Sequence, residues 1–81
     1  MALDKGCDIR RAGYMGNVAV VDVKAQDGTF DWHFFYSNAD NARAILAVAL
    51  AAITTGKPVE CQVDDPAAVD PPGISGIFLV G

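Results

Sequence analysis

The sequence predicts a single mainly β domain that contains one helix. Valine-rich and alternating runs, separated by Gly and Pro, have the composition of β-strands. One long run is instead rich in Ala and Leu, which favours a helix. The chain has 81 residues, which is enough for one domain and too few for two. We therefore assign residues 1–81 to one domain of the α+β class.

Three strands are predicted before the helix, over residues 6–12, 17–24 and 30–36. The second has the clearest signal, because it is dense in Val, whose branched side chain suits a pleated sheet. An Asp-Gly pair at residues 27–28 then favours an antiparallel hairpin, since Gly tolerates the positive φ of such turns. In the third strand, alternation places four aromatic side chains on the predicted core face: Phe30, Trp32, Phe34 and Tyr36.

The helix is predicted over residues 39–55. Ser37 or Asn38 is expected to cap its N-terminus, because either side chain can accept a hydrogen bond from a free backbone N–H group. Gly56 is expected to end the helix in the left-handed conformation, and Pro58 cannot continue it.

Two strands follow the helix, over residues 59–64 and 74–80, with a loop rich in Pro and Asp at residues 65–73. Gly76 predicts a β-bulge in the last strand. The whole order is therefore three strands, one helix and two strands. This order predicts an OB-fold, a five-stranded Greek-key barrel with its helix between the third and fourth strands.

The sequence has two cysteines, Cys7 and Cys61, on the first and fourth predicted strands. These strands are neighbours in an OB barrel, so either one disulfide or two buried thiols are expected. The spacing excludes a four-thiolate zinc site and a C-x-x-C motif. No cofactor is predicted, because no nucleotide-binding or zinc-protease motif occurs.

The charge distribution argues against two classes of partner. Ten acidic and six basic residues give a net charge of −4, and no basic run exceeds two residues, so nucleic acid is not expected to bind. The longest run without a charge has 13 residues, whereas a membrane span needs roughly 18 to 20, so membrane insertion is not expected. No signal peptide is predicted, because Asp4 and Lys5 interrupt the first residues. A secreted chain whose signal peptide had been removed would show the same first residues. The sequence therefore does not decide between a cytoplasmic and a secreted protein.

The predicted helix is apolar on all sides. Arg43 is the only charged residue between Ala42 and Ile53, whereas a surface helix normally has one charged face. A domain this small has no second layer to cover these side chains, so we expect another copy of the chain to cover them. The expected oligomer interface comprises Ile45, Leu46, Ala49, Leu50 and Ile53. The alternative is an Ala-rich core helix that tolerates some exposure.

Catalysis and metal binding have no support in the sequence. His33 is the only His and is best explained as a polar residue on a strand surface, while Ser37 is better explained as a cap than as a nucleophile. Asp64, Asp65 and Asp70 match no calcium loop and are expected to form a solvated acidic turn. We predict a protein that is not an enzyme and binds no metal.

Ligand recognition is expected first around Tyr14, in a predicted loop between two glycines. Arg11 and Asn17 lie nearby, so a ring, a cation and an amide occur together. Trp32 and His33, on the third strand, form the second predicted position, since OB-folds bind ligands on strands two and three and on adjoining loops.

A family resemblance takes in the hairpin strands before the helix and, in topology, covers nearly the whole chain; the residues that carry it lie in the second half. Residues 54–64 read T-T-G-K-P-V-E-C-Q-V-D and, with the closing I-S-G-I-F-L at 74–79, resemble the binding subunits of bacterial B-pentamer toxins of the subtilase and pertussis-like group. The resemblance implies an OB-fold, a ring of five subunits with pore-lining helices, recognition of sialylated or other host glycans, and a catalytic A subunit as partner. The family's sugar contacts lie on an N-terminal segment without a counterpart here, so none is carried over.

The expected function is therefore that of a non-enzymatic, ring-forming binding subunit, a homopentamer, that recognises cell-surface glycans. The alternative is a structural or protein-interaction OB-fold oligomer without a sugar ligand.

Overall fold

A computed structural model describes residues 2–80 of the chain, which form five β-strands and one α-helix. The elements are β1 (Ala2–Met15), β2 (Val18–Ala25), β3 (His33–Tyr36), α1 (Ala42–Thr55), β4 (Val59–Asp64) and β5 (Ile74–Leu79). The strands form one sheet in the order β3-β2-β1-β4-β5, and every neighbouring pair is antiparallel. The predicted mainly β chain with a single helix is thereby confirmed.

The first strand is longer than the sequence predicted. β1 has 14 residues, whereas the prediction covered only residues 6–12. Its first half pairs with β4 and its second half pairs with β2. These two ladders supply backbone hydrogen-bond partners beyond both ends of the predicted segment. Gly13 is therefore held within the strand, and the turn comes at Gly16, where φ is 67°.

The aromatic strand begins later than predicted, and its core face is the opposite one. Phe35 lies opposite Val21 and is fully buried, whereas Phe34 lies opposite Asp22 and is 41% exposed. Phe30 lies in the preceding turn and reaches the core from there, with its ring centroid 5.1 Å from that of Phe35. The prediction that Phe34 faces the core is wrong, because the turn interrupts the alternation that starts at Phe30.

The hairpin predicted from the Asp-Gly pair is confirmed. β2 and β3 are antiparallel, and Gly28 has a φ of 82°. Asp27 accepts hydrogen bonds from Thr29 and, at 2.9 Å, from Nζ of Lys5 on β1. The bond from the Thr29 hydroxyl, followed by that from Lys5, holds the pKa of Asp27 well below its ordinary value. The turn is therefore tied to β1.

The helix α1 begins three residues later than predicted. Ser37 is buried, and its hydroxyl accepts a hydrogen bond from the N–H of Ala19 at 2.8 Å, so it ties the chain to β2 and does not cap the helix. Asn38 and Asn41 instead exchange hydrogen bonds between side-chain oxygen and backbone N–H, which closes the turn before the helix. Gly56 ends the helix at a φ of 69°, as predicted.

One side of α1 covers the inner face of the sheet. Its buried residues are Ala42, Ile45, Ala49 and Ala52. They pack against β1, β2 and β5, whose inner side chains complete the core. Within residues 2–80, no helix is long and apolar enough to cross a membrane.

The bulge predicted at Gly76 is confirmed. The register of β4 and β5 shifts between Gln62 and Val63, so Ser75 has no partner across the ladder. A Cβ atom at Gly76 would lie 3.0 Å from Oε1 of Gln62, and a glycine suits this close approach.

The two edge strands of the sheet approach each other at one point. Tyr36, at the end of β3, forms a parallel bridge with Gly73, just before β5, and donates its N–H to the carbonyl of Pro72 at 3.1 Å. Asp64 supports this point, because its Oδ2 accepts the N–H of Gly73 at 2.9 Å. The sheet is therefore curved enough to bring β3 and the start of β5 together.

Cys7 and Cys61 are two buried free thiols on β1 and β4. Cys61 pairs with Lys5, two residues before Cys7, so the two sulfurs lie on the same face of neighbouring strands. The hydrogen bond with Cys7, together with burial, raises the pKa of the Cys61 thiol well above its ordinary value. Of the two alternatives that the sequence left open, the structure has the thiol pair.

We expect both thiols to react slowly in the folded protein, because both cysteines are fully buried and the thiolate of Cys61 is disfavoured. In denaturant without reductant, iodoacetamide should label both residues rapidly, as measured by intact mass. A denatured chain that shows no reactive thiol until a reductant is added would contradict the thiol pair.

Candidate ligand-binding site

The structure divides the predicted ligand-binding residues between the two faces of the sheet. Tyr14 and Asn17 line a cavity beside the start of α1, which we call the Tyr14 cavity. Trp32 and His33 line a smaller cavity beside β3. Arg11 does not line the Tyr14 cavity; it lies opposite Asp22 in the β1–β2 ladder, on the outer face of the sheet.

The Tyr14 cavity has a volume of about 580 Å³. It is formed by the end of β1, the following turn and the first turn of the helix, and its lining residues are Tyr14, Gly16, Asn17, Ala39, Asp40, Ala42 and Arg43. Tyr14 belongs to β1 and not to the predicted loop, because β2 pairs with β1 as far as Met15. Its side chain is still available to a ligand, since Tyr14 is 51% exposed.

Three polar side chains lie around the Tyr14 ring. The amide of Asn17 both donates and accepts hydrogen bonds, the carboxylate of Asp40 accepts them, and the guanidinium group of Arg43 donates them. Within residues 2–80, neither Asp40 nor Arg43 forms an ion pair, so both remain available to a ligand. This combination of an aromatic face, an amide and balanced charges suits an uncharged ligand rich in hydroxyl groups. Sequence reasoning missed Asp40 and Arg43 as binding residues.

A β-bulge places two adjacent arginines together on the outer face of the sheet. The register of β1 and β2 shifts between Ile9 and Arg11, so Arg10 has no partner across the ladder. Because of this extra residue, Arg10 and Arg11 both reach Asp22. The distance from Nε to Oδ2 of Asp22 is 2.6 Å for Arg10 and 3.4 Å for Arg11.

Asp22 is a charged residue that the sheet buries. Its side chain is only 2% exposed, whereas those of Arg10 and Arg11 are 51% and 64% exposed. A buried carboxylate needs hydrogen-bonded partners of opposite charge, and the two arginines supply them. Asp22 is also the only acidic residue of the Val-rich β2, and a carboxylate within this apolar run is the sequence signal that would have indicated the cluster.

Each guanidinium group also stacks on an aromatic ring. Cζ of Arg10 lies 4.5 Å from the centroid of the Trp32 ring, and Cζ of Arg11 lies 4.9 Å from that of Phe34. Such contacts are favourable cation–π interactions. They also explain why Phe34 faces outward, since its ring supports Arg11. We call these five residues the arginine cluster: Arg10, Arg11, Asp22, Trp32 and Phe34.

The smaller cavity adjoins the arginine cluster and has a volume of about 250 Å³. Four aromatic residues line one side and the loop before β5 lines the other, namely Trp32, His33, Phe34, Tyr36, Asp70, Pro71 and Pro72. Nδ1 of His33 lies 3.0 Å from the carbonyl oxygen of Phe34, which orients the imidazole ring. The cavity therefore offers mostly apolar walls beside the two guanidinium groups.

Two of the three aspartates in the predicted acidic turn hold the backbone of the loop. Oδ2 of Asp64 accepts the N–H of Gly73, and Oδ1 of Asp65 accepts the N–H of Ala67 at 3.0 Å. Asp70 lies apart from them, in the lining of the smaller cavity. In the part of the chain that the structure describes, no group of three or more His, Cys, Asp or Glu residues is arranged to hold a metal ion.

The residues predicted for an oligomer interface differ in their exposure. Ile45 and Ala49 are buried in the chain's own core, so a partner cannot reach them. Leu46 is half-buried, while Leu50 and Ile53 are 47% and 38% exposed. These three residues follow one another at helical spacing along one side of α1. We call them the leucine stripe.

We expect Asp22→Asn to lower the free energy of unfolding by about 1 to 3 kcal/mol, because a neutral amide replaces the charge-assisted hydrogen bonds from Arg10 and Arg11. Urea denaturation at pH 7 measures this change. Asp4→Asn is the matched control: Asp4 is exposed on β1, so its replacement should change the free energy by less than about 0.5 kcal/mol. Equal effects of the two substitutions would contradict the role given to Asp22.

Known proteins offer no guide to this site. Comparison with protein-family models, with curated protein sequences and with solved structures finds no match to this chain. The function must therefore be inferred from the residues of the two cavities and of the outer sheet face.

Proposed function

We propose that this chain is a non-enzymatic binding subunit that recognises glycans through the Tyr14 cavity. The observation that carries this proposal is the exposed ring of Tyr14 beside an amide, a carboxylate and a guanidinium group. A sugar presents C–H faces that pack on an aromatic ring and hydroxyl groups that both donate and accept hydrogen bonds. Asn17, Asp40 and Arg43 match those hydroxyl groups, and their charges cancel.

We propose an OB-fold for the domain. The order of three strands, one helix and two strands supports it, as does the adjacency of β1 to both β2 and β4. The parallel bridge between Tyr36 and Gly73 supports it further, because a barrel requires its two edge strands to meet. In this fold Asp22 and Phe34 of the arginine cluster lie on strands two and three, and the smaller cavity lies between the third strand and the loop before β5, which are regions where OB-folds bind ligands.

We also propose that the chain assembles with copies of itself through the leucine stripe, in a ring of five as the family resemblance implies. The stripe is apolar and partly exposed, and a chain of 81 residues gains more from burying it than a larger domain would. A second copy is the occupant we favour, since the stripe carries no charge that would select a charged partner.

Leu50→Glu should disrupt this assembly, because it places an unpaired charge in an interface where burial costs several kcal/mol. Light scattering should show a multiple of the subunit mass for the wild type and a single subunit for the variant. Ala68→Glu adds the same charge at an exposed loop position and should leave the mass unchanged. A single-subunit mass for the wild type would contradict self-assembly.

Tyr14→Ala should weaken glycan binding by about 1 to 3 kcal/mol, the loss expected for a stacking anchor. A glycan array first identifies a bound sugar, and titration calorimetry then compares its affinity for the wild type and the variant. Met15→Ala is the control, because Met15 is the next residue of β1 and is 63% exposed but does not line the cavity. Unchanged affinity in Tyr14→Ala would remove the site from this cavity.

A second candidate function is that of a structural or protein-interaction module. The observation that favours it is the edge strand β5, whose last residues are exposed and apolar. Phe78 is 55% exposed, Leu79 is 42% exposed and Val80, just beyond the strand, is 41% exposed. Edge strands of this kind can pair with a segment of another protein. A glycan array without any bound sugar would favour this second function.

A further inference from the structure

We propose that the arginine cluster is a second binding site, specific for the sulfate ester group of a sulfated saccharide. The saccharide part of this assignment rests on the proposed function above. The anion site rests only on the geometry of Arg10, Arg11 and Asp22, on the outer face of the sheet.

The two guanidinium groups keep free hydrogen-bond donors. Arg10 and Arg11 each contact Oδ2 of Asp22 through Nε alone. Among the described residues, their Nη groups form no hydrogen bond to the protein, and both side chains are more than half exposed. An anion in solvent can therefore reach the Nη groups of both arginines at once.

The positions of these donors are fixed before a ligand binds. Asp22 is held in the sheet with its side chain 2% exposed, so its carboxylate is a rigid anchor. Trp32 and Phe34 support the two guanidinium planes from below, at 4.5 and 4.9 Å. Arg10 and Arg11 therefore lose little rotamer entropy when a ligand binds, whereas flexible surface arginines would lose more.

The charge of the cluster fits a single sulfate ester. Two guanidinium groups and one carboxylate leave one net positive charge, and a sulfate monoester carries one negative charge. Its three free oxygens can accept hydrogen bonds from two separate guanidinium forks, whereas the two oxygens of a carboxylate are satisfied by one fork. The net charge of the chain is −4, which disfavours an extended polyanion.

The surroundings of the cluster fit the sugar that would carry the sulfate. Phe34 is 41% exposed, and the cavity of about 250 Å³ begins at Trp32 and Phe34. A sugar ring seated there would pack on aromatic walls while its sulfate reaches the arginines. The sugar ring would thus lie in the smaller cavity and its sulfate would lie on the adjoining arginine cluster.

Titration calorimetry at low ionic strength tests the site with galactose 6-sulfate, galactose and galacturonate. Galactose 6-sulfate should bind at least about tenfold more tightly than either of the others. Arg10→Gln and Arg11→Gln should each weaken its binding by about tenfold or more. Lys24→Gln removes one positive charge from the same face of β2 and should change the affinity less than about twofold.

The wild-type protein gives a readout that does not depend on any variant. Trp32 is the only Trp of the chain and lies under Arg10, so its fluorescence reports on the cluster. Galactose 6-sulfate should change this fluorescence with a saturable dependence on concentration, and galactose should not. The absence of a saturable change would overturn the proposal even if the arginine variants failed to fold.

Three other outcomes would also overturn it. Equal weakening by Lys24→Gln and by the arginine variants would show a general effect of charge. Galacturonate binding as tightly as galactose 6-sulfate would indicate a carboxylate site. Tighter binding of a single-stranded oligonucleotide would indicate nucleic acid.

The Tyr14→Ala variant separates this inference from the proposed function. Because Tyr14 does not belong to the arginine cluster, the variant should keep the saturable response of Trp32 to galactose 6-sulfate. Unchanged glycan-array binding by Tyr14→Ala, together with an intact Trp32 response, would count against the Tyr14 cavity alone. An intact Tyr14-dependent affinity without a Trp32 response would count against the sulfate site alone.

Discussion

The pairing of β1 with two neighbouring strands is the constraint on which the rest of the structure depends. Cys7 takes part in both ladders, opposite Ala25 on β2 and opposite Val59 on β4. Because side chains alternate along a strand, these two registers fix which residues enter the core and which face outward. The same strand ends at the Tyr14 cavity and contains the bulge at Arg10. Both candidate sites are therefore positioned by one strand whose register cannot slip without turning the core outward.

Local chemistry made much of the fold predictable from the sequence. The Val-rich second strand, the hairpin at Gly28 and the end of the helix at Gly56 follow from side-chain shape and backbone freedom, which nearby residues determine. The faces of the aromatic strand were not predictable in this way. Phe34 and Phe35 are equally apolar, and only the cross-strand register, which places Phe34 opposite Asp22, decides which of them enters the core.

The candidate sites were predictable only in part, for a related reason. Tyr14 and Asn17 are close in sequence, and the turn between them keeps them together in one cavity. Asp40 and Arg43 join them only because the start of α1 packs near this turn, which is a tertiary contact that no local pattern encodes. Arg11 was expected beside Tyr14, but the two residues lie three apart in a regular stretch of β1, so alternation places Arg11 on the opposite face, where it contacts Asp22.

The proposed binding surfaces and the proposed assembly surface share no residue, and this separation has a consequence for affinity. The leucine stripe lies along α1, the Tyr14 cavity lies at the start of that helix, and the arginine cluster lies on the far face of the sheet. Copies that associate through the stripe would therefore leave the arginine cluster free, whereas the Tyr14 cavity, whose Arg43 lies one helical turn before Leu46, would border the interface. A ring would repeat each site once per subunit, so weak single-site binding would become strong avidity on a surface that displays many glycans. Assembly would therefore raise the affinity for such a surface without any change in either proposed site.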